Sequence, residues 1–101
     1  MIDTRKRTAE PVLVVDDDPS LCDLVGQVLE NEGYEPVICT HPRDALAVCE
    51  KETFGLVFID LNLPDMGGLE LASTLKLQTP LLAVVYISGY GTWTMRSRPS
   101  K

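Results

Sequence analysis

Three consecutive carboxylates, Asp16, Asp17 and Asp18, follow directly after the apolar run at residues 12–15. Like charges this close repel one another, and the repulsion raises a carboxyl pKa unless a cation lies nearby. The apolar run is typical of a buried strand, so the acids would stand at the end of that strand. The chemistry that this arrangement suggests is the binding of a cation by carboxylate oxygens.

Two further polar residues end apolar runs. Asp60 closes the run that begins at Phe54, and Ser88 closes the run that begins at Leu81. A carboxylate buried at the end of such a run is costly without a partner. The carboxyl ends of parallel strands form one edge of a sheet, where ligands gather. We therefore expect the acids and Ser88 to meet at that edge.

Apolar runs alternate with helical patterns along the whole chain, which predicts an α/β fold with a doubly wound parallel sheet and right-handed crossovers. Short apolar runs are predicted to be strands, either buried or at an edge of the sheet. Segments whose apolar residues recur at helical spacing are predicted to be the helices between these strands. The predicted strands lie near 12–15, 35–40, 54–60 and 81–88, and the predicted helices near 19–33, 42–52 and 69–77.

Residues that typically begin or end helices mark the limits of the first helix. Asp18 can cap the first helix, Pro19 can open it, and Gly33 can end it. Pro36 has no backbone N–H and cannot donate to both neighbours, so it places the second strand at an edge of the sheet.

Composition indicates one domain that is neither nucleic-acid-binding nor membrane-bound. The chain has 101 residues and a net charge of −6, which disfavours contact with nucleic acid or anionic lipid. Its three cysteines, an odd number without paired spacing, are predicted to be reduced and packed: Cys22, Cys39 and Cys49.

The chain is divided by its patterns into three parts. We expect a flexible segment over residues 1–10, a globular domain over 11–91 and an atypical tail over 92–101. The first segment has basic residues but no apolar stretch after them, so it does not have the pattern of a signal peptide or a membrane anchor. We therefore expect a cytoplasmic location.

The segments VLVVDDDP, LVFIDLNLPDMGGLEL and VVYISGYG resemble the receiver domains of two-component response regulators. The resemblance covers residues 11–91, and its most specific part is the loop that starts at Asp60. It implies a flavodoxin-like sheet with strand order 2-1-3-4. Chemotaxis receivers have a sheet of this class, in which ligands bind at the point where the strand order reverses.

The resemblance also implies a role for each site residue. Asp60 would be the phosphoacceptor that takes a phosphoryl group from a phosphohistidine. Mg²⁺ would be held by Asp17, Asp60 and the backbone carbonyl of Asn62, with Asp16 acting mainly through water. Ser88 would contact the new phosphate and move toward it as a switch.

The resemblance ends before the C-terminus. Receivers carry a lysine at the end of a fifth strand, whereas this chain continues from SGYG into TWTMRSRPSK, and Lys101 does not take that role. We therefore expect a C-terminally truncated receiver whose fifth strand and last helix are missing. The fourth strand would then be an exposed edge that another chain can pair with. Either two subunits would pair their fourth strands, or the tail with Trp93 and Met95 would fold over the exposed face. We expect a dimer or an aggregation-prone, weakly stable monomer.

Two functions follow from these features. The first is a phosphorelay receiver whose partner is a sensor histidine kinase or a phosphotransfer protein, and which signals by a conformational change. Its only catalysis would be self-catalysed phosphotransfer and autodephosphorylation. The alternative is a pseudo-receiver, which keeps the fold as a protein-interaction module without a complete phosphorylation cycle. A magnesium phosphatase of the haloacid dehalogenase type would need a DxD motif, which the sequence DLN at Asp60 does not provide.

Overall fold

The structure, a computed structural model, describes residues 9–87 and the backbone of residues 93–95. Three expectations concern residues outside the described ones: the flexibility of the first residues, the role of Ser88 and the end of the tail. Four parallel strands form most of the sheet: β1 (Pro11–Val15), β2 (Glu35–Cys39), β3 (Leu56–Asp60) and β4 (Ala83–Ile87). Their order, 2-1-3-4, confirms the predicted topology.

Helices connect these strands at the predicted places. In the described part of the chain they are α1 (Pro19–Asn31), α2 (Pro42–Lys51) and α3 (Gly68–Gln78). The Asp18 carboxylate accepts a hydrogen bond from the Ser20 N–H at 3.0 Å, which confirms it as the cap of α1. Gly33 ends α1 with a φ of 92°, in the left-handed region that favours glycine.

Side chains of β1, β3 and β4 alternate between two apolar layers, so the centre of the sheet is covered on both faces. Leu13 and Val15 of β1 pack in the layer that contains residues of α2 and α3. Val12 and Val14 pack in the opposite layer with residues of α1. This arrangement confirms the doubly wound fold.

Pro36 lies on β2, at the outer edge of the sheet, as predicted. The N–H of Glu35 donates to the carbonyl of Glu10 at 2.9 Å, so this residue turns its N–H toward β1. In a parallel ladder the next residue turns its main-chain groups the other way. Pro36 therefore removes no hydrogen bond from the ladder with β1.

A fifth strand, β5 (Trp93–Met95), runs antiparallel to β4. The expectation that no strand lies beside β4 is therefore wrong. Main-chain groups at the edge of an apolar strand gain hydrogen bonds from any extended segment that can reach them. The tail supplies such a segment, with Trp93 aligned to Ile87 and Met95 to Val85. The sheet order is thus β2-β1-β3-β4-β5.

No helix within the described residues is long and apolar enough to cross a bilayer. The cysteines are free thiols, and their burial confirms the prediction that they are packed: Cys22 and Cys39 are buried and Cys49 is half-buried.

Candidate functional site

Two of the acids lie at matching positions on neighbouring strands. Val15 of β1 is aligned with Ile59 of β3, so Asp16 and Asp60 each come one residue later at the same edge of the sheet. Asp17 follows in the loop. Oxygen atoms of these three carboxylates all lie within 4.8 Å of one another. The expected convergence of the acids is therefore present.

The three acids differ in their access to water. The side chain of Asp16 is 1% exposed and that of Asp60 is 7% exposed, whereas Asp17 is exposed. A cation or a phosphoryl donor can therefore approach from the side of Asp17, while the other two carboxylates form the floor of the site.

Asp16 is held by hydrogen bonds at its backbone N–H and at one carboxylate oxygen, but its other carboxylate oxygen has no partner among the described residues. Its N–H donates to the carbonyl of Cys39 at 3.1 Å, and its Oδ1 accepts the N–H of Asp18 at 2.8 Å. Its Oδ2 is buried and has no hydrogen-bond partner among the described residues. A buried acceptor without a partner is costly, so this atom is a place where a ligand would be stabilising.

The pKa of the Asp16 carboxyl group is raised from 3.8 to about 6. Burial is the main cause, because it penalises the charged form, and the negative charges of Asp60, Asp17 and Asp18 add to it. The hydrogen bond from the Asp18 N–H acts in the opposite direction. The folded chain thus holds an ionised Asp16 at a free-energy cost that a bound cation would relieve.

Asp60 is oriented by the loop that follows it. The N–H of Asn62 donates to Asp60 Oδ1 at 3.0 Å, in the same way that the N–H of Asp18 binds Asp16. The N–H of Leu61 donates to the carbonyl of Ile87 at 3.0 Å and ties this loop to β4. The role of the Asn62 carbonyl stays a prediction, and Ser88 lies outside the described residues.

Gly68 allows α3 to begin directly against the end of β3. A Cβ at this position would collide with the backbone oxygen of Asp60 and would lie 3.0 Å from Ile59 Cγ2 and from Leu61 Cα. Two of these atoms are backbone, which cannot move aside as a flexible side chain can. Of the two adjacent glycines, Gly67 and Gly68, only Gly68 makes a close approach that requires a glycine.

We expect Gly68→Ala to lower the free energy of unfolding by about 2 kcal/mol, as overpacking of a tight contact does. Gly67→Ala is the matched control, because a Cβ at Gly67 has nothing within 4 Å. Its effect should stay at or below about 1 kcal/mol. Urea unfolding of both variants makes the comparison, and equal losses would contradict the close approach.

Sequence reasoning missed one residue beside the site. The thiol of Cys22 donates to the backbone oxygen of Asp16 across 3.2 Å. The sequence predicted only that this cysteine is packed. Its place in the first turn of α1, directly after the acids, is the signal that could have indicated a contact with them.

The donor set fits a hard divalent cation. Mg²⁺ prefers oxygen ligands and retains several waters, and three converging carboxylates of which one is exposed meet both requirements. The buried Oδ2 of Asp16, which lacks a partner among the described residues, is an independent observation in favour of a ligand.

Comparison with known proteins gives consistent matches. The family described as "Response regulator receiver domain" matches residues 12–99. Sporulation initiation phosphotransferase F of Bacillus subtilis is 30% identical over 86 residues, which are 85% of this chain and 69% of that protein. A CheY-like receiver domain protein of Methanospirillum hungatei, known as a crystal structure, has a TM-score of 0.76 and 37% identity, covering 83% of this chain and 67% of that one.

A longer relative matches over a smaller share of its length. The nitrogen assimilation regulatory protein NtrX of Azorhizobium caulinodans is 38% identical over 85 residues, which are 82% of this chain and 19% of that protein. Across the NtrX proteins that match first, this chain spans 17% to 19% of their length.

Proposed function

Because this chain belongs to the response regulator receiver domain family, we propose that it accepts a phosphoryl group on Asp60 from a histidine kinase or a phosphotransfer protein. The observation that carries the proposal is the convergence of the Asp16, Asp17 and Asp60 carboxylates at the carboxyl edge of the sheet. The match to a phosphotransferase over most of that relative's length supports the same reaction class.

The transfer forms one bond and breaks one. A carboxylate oxygen of Asp60 attacks the phosphorus of a phosphohistidine, the P–N bond breaks, and the imidazole leaves as the acyl phosphate forms. Since the Asn62 N–H engages Oδ1, we assign the attack to Oδ2. A carboxylate is a weak nucleophile, so positioning and charge neutralisation must supply most of the rate enhancement.

Asp16, Asp17 and Asp60 would hold Mg²⁺, together with the backbone carbonyl of Asn62. When bound, the ion neutralises charge that accumulates on the phosphoryl oxygens. The contribution of the chain is to bring carboxylate oxygens together: Asp16 and Asp60 are fixed by backbone N–H groups, and Asp17 lies on the side of the site that is open to solvent.

Mg²⁺ is expected to raise the melting temperature of the chain, because it relieves repulsion among carboxylates and binds the folded state. At a tenfold excess over Kd the stabilisation is about 1.4 kcal/mol. Asp17→Ala should remove most of the shift without disturbing the core, since Asp17 is exposed. Asp65→Asn is the control: Asp65 is an exposed acid outside the cluster, and asparagine tolerates its φ of 69°. A shift in Asp17→Ala equal to that of the wild type would contradict this metal site.

A small phosphodonor tests the reaction without a known kinase. Acetyl phosphate with Mg²⁺ should add one phosphoryl group to the chain, and chelation of the metal should suppress the addition. Absence of labelling under both conditions would favour the pseudo-receiver, an alternative that the convergent carboxylates do not support.

The remaining parts of the proposal concern signalling and partners. Ser88 would respond to the phosphate, and the chain would act in the cytoplasm, where histidine kinases present their phosphodonor residue. Self-association through β4 stays a prediction for Ala83 and Val84, the part of the strand that β5 leaves unpaired among the described residues.

A further inference from the structure

We propose that Cys22 is a positioning residue for the acidic site, and that its thiol fixes the peptide group between Asp16 and Asp17. The inference rests on the function proposed above. It adds to the three carboxylates a residue of α1 that supports metal binding by positioning them. Cys22 would touch neither the metal nor the phosphoryl group.

The contact is a buried hydrogen bond between a helix and the end of a strand. Cys22 Sγ lies 3.2 Å from the backbone oxygen of Asp16, and the cysteine is 5% exposed. A thiol S–H is a hydrogen-bond donor, and the backbone oxygen of Asp16 is the acceptor that it reaches.

The carbonyl of Asp16 lies one residue beyond the aligned pairs of β1. These pairs end at Val15, which is aligned with Cys39 of β2 and with Ile59 of β3. The Asp16 N–H is bound to Cys39 of β2. Among the described residues, the donor that the structure gives to the Asp16 carbonyl is the thiol of Cys22.

Rotation of this peptide group would separate the two acids. The carbonyl carbon of Asp16 is bonded to the nitrogen of Asp17, so turning the peptide moves Asp17 relative to Asp16. A donor on the carbonyl limits that rotation, and with it the spread of the carboxylate oxygens that now lie within 4.8 Å of one another. Loss of the donor should therefore weaken metal binding more than it weakens the fold.

This effect is measured by following the unfolding midpoint of the full chain as the Mg²⁺ concentration is raised, which gives the dissociation constant (Kd) for Mg²⁺. Cys22→Val fills the space without a donor, and its Kd should rise about two- to tenfold, the range of one hydrogen bond. Cys22→Ser keeps a donor at the same place and should stay within about twofold of the wild type. If Cys22→Val does not fold, Cys22→Ala removes the donor with less bulk, and the same rise is expected.

Val25→Ala separates positioning from stability, because Val25 is buried on α1 in the apolar layer. It should lower the free energy of unfolding while leaving the Mg²⁺ Kd unchanged. The proposal is overturned if Cys22→Val binds Mg²⁺ like the wild type, if Cys22→Ser weakens binding as much as Cys22→Val, or if Val25→Ala weakens it equally. A wild type that shows no response to Mg²⁺ would instead overturn the proposed function, and this inference with it.

Discussion

In the absence of Mg²⁺ and above about pH 7, Asp16→Asn is expected to raise the free energy of unfolding by about 2 to 3 kcal/mol. The cause is the burial of Asp16, which raises the pKa of its carboxyl group from 3.8 to about 6. Ionisation therefore penalises the folded chain more than the unfolded one. Asparagine removes the charge and keeps an oxygen that can accept the N–H of Asp18.

The pH dependence of this gain has a definite sign. A group whose pKa is raised by folding contributes most stability below its unfolded pKa, and that contribution is lost as pH rises through its folded pKa. The difference between Asp16→Asn and the wild type should therefore be small below about pH 4, grow up to about pH 6 and then level off. Urea unfolding in the presence of a chelator, repeated across this range, measures it.

Asp23→Asn is the control for the pH series, because Asp23 is an exposed acid on α1 outside the cluster. Its unfolding free energy should follow that of the wild type at every pH. A pH-independent difference for Asp16→Asn would contradict the raised pKa. Saturating Mg²⁺ should reduce or reverse the gain of Asp16→Asn, since the variant lacks a charge that the cation uses.

Asp60→Asn is expected to abolish phosphorylation by acetyl phosphate. The side chain keeps its shape, and its oxygen can still accept the N–H of Asn62. A neutral amide, however, cannot form the acyl phosphate. Intact-mass spectrometry of the variant should show no added phosphoryl group under conditions that label the wild type.

Asp65→Asn serves as the comparison for this loss, because Asp65 is an exposed acid in the loop that follows Asp60. It should be labelled to the same extent as the wild type. Labelling retained in Asp60→Asn would move the chemistry to another residue, and labelling lost in both variants would point to a general effect on the loop.

The carboxyl edge of the sheet was predictable because its signals are local. Apolar runs that end in Asp16 and Asp60 indicate strands that end in acids, and parallel strands bring such ends together. The cap at Asp18 and the edge position of Pro36 follow from backbone chemistry in the same way.

Other features depend on contacts that no local pattern contains. The sequence indicated the tail as one cover for the exposed fourth strand, but it did not locate strand β5, because the three residues Trp93–Met95 are too few for a periodic signal. The thiol contact of Cys22 and the unpaired Oδ2 of Asp16 arise from how α1 is packed on the end of β1. Gly68 could be marked as a loop residue, but its collision with Asp60 requires the three-dimensional position of α3.

Metal-dependent phosphorylation of Asp60 is the reaction on which the proposed function depends. It is tested by mapping the phosphoryl group after the wild-type chain has been treated with acetyl phosphate, once with Mg²⁺ and once with a chelator. We expect a single labelled peptide that contains Asp60, present with Mg²⁺ and absent with the chelator. A label on a peptide without Asp60, or one that is indifferent to Mg²⁺, would contradict the proposed reaction.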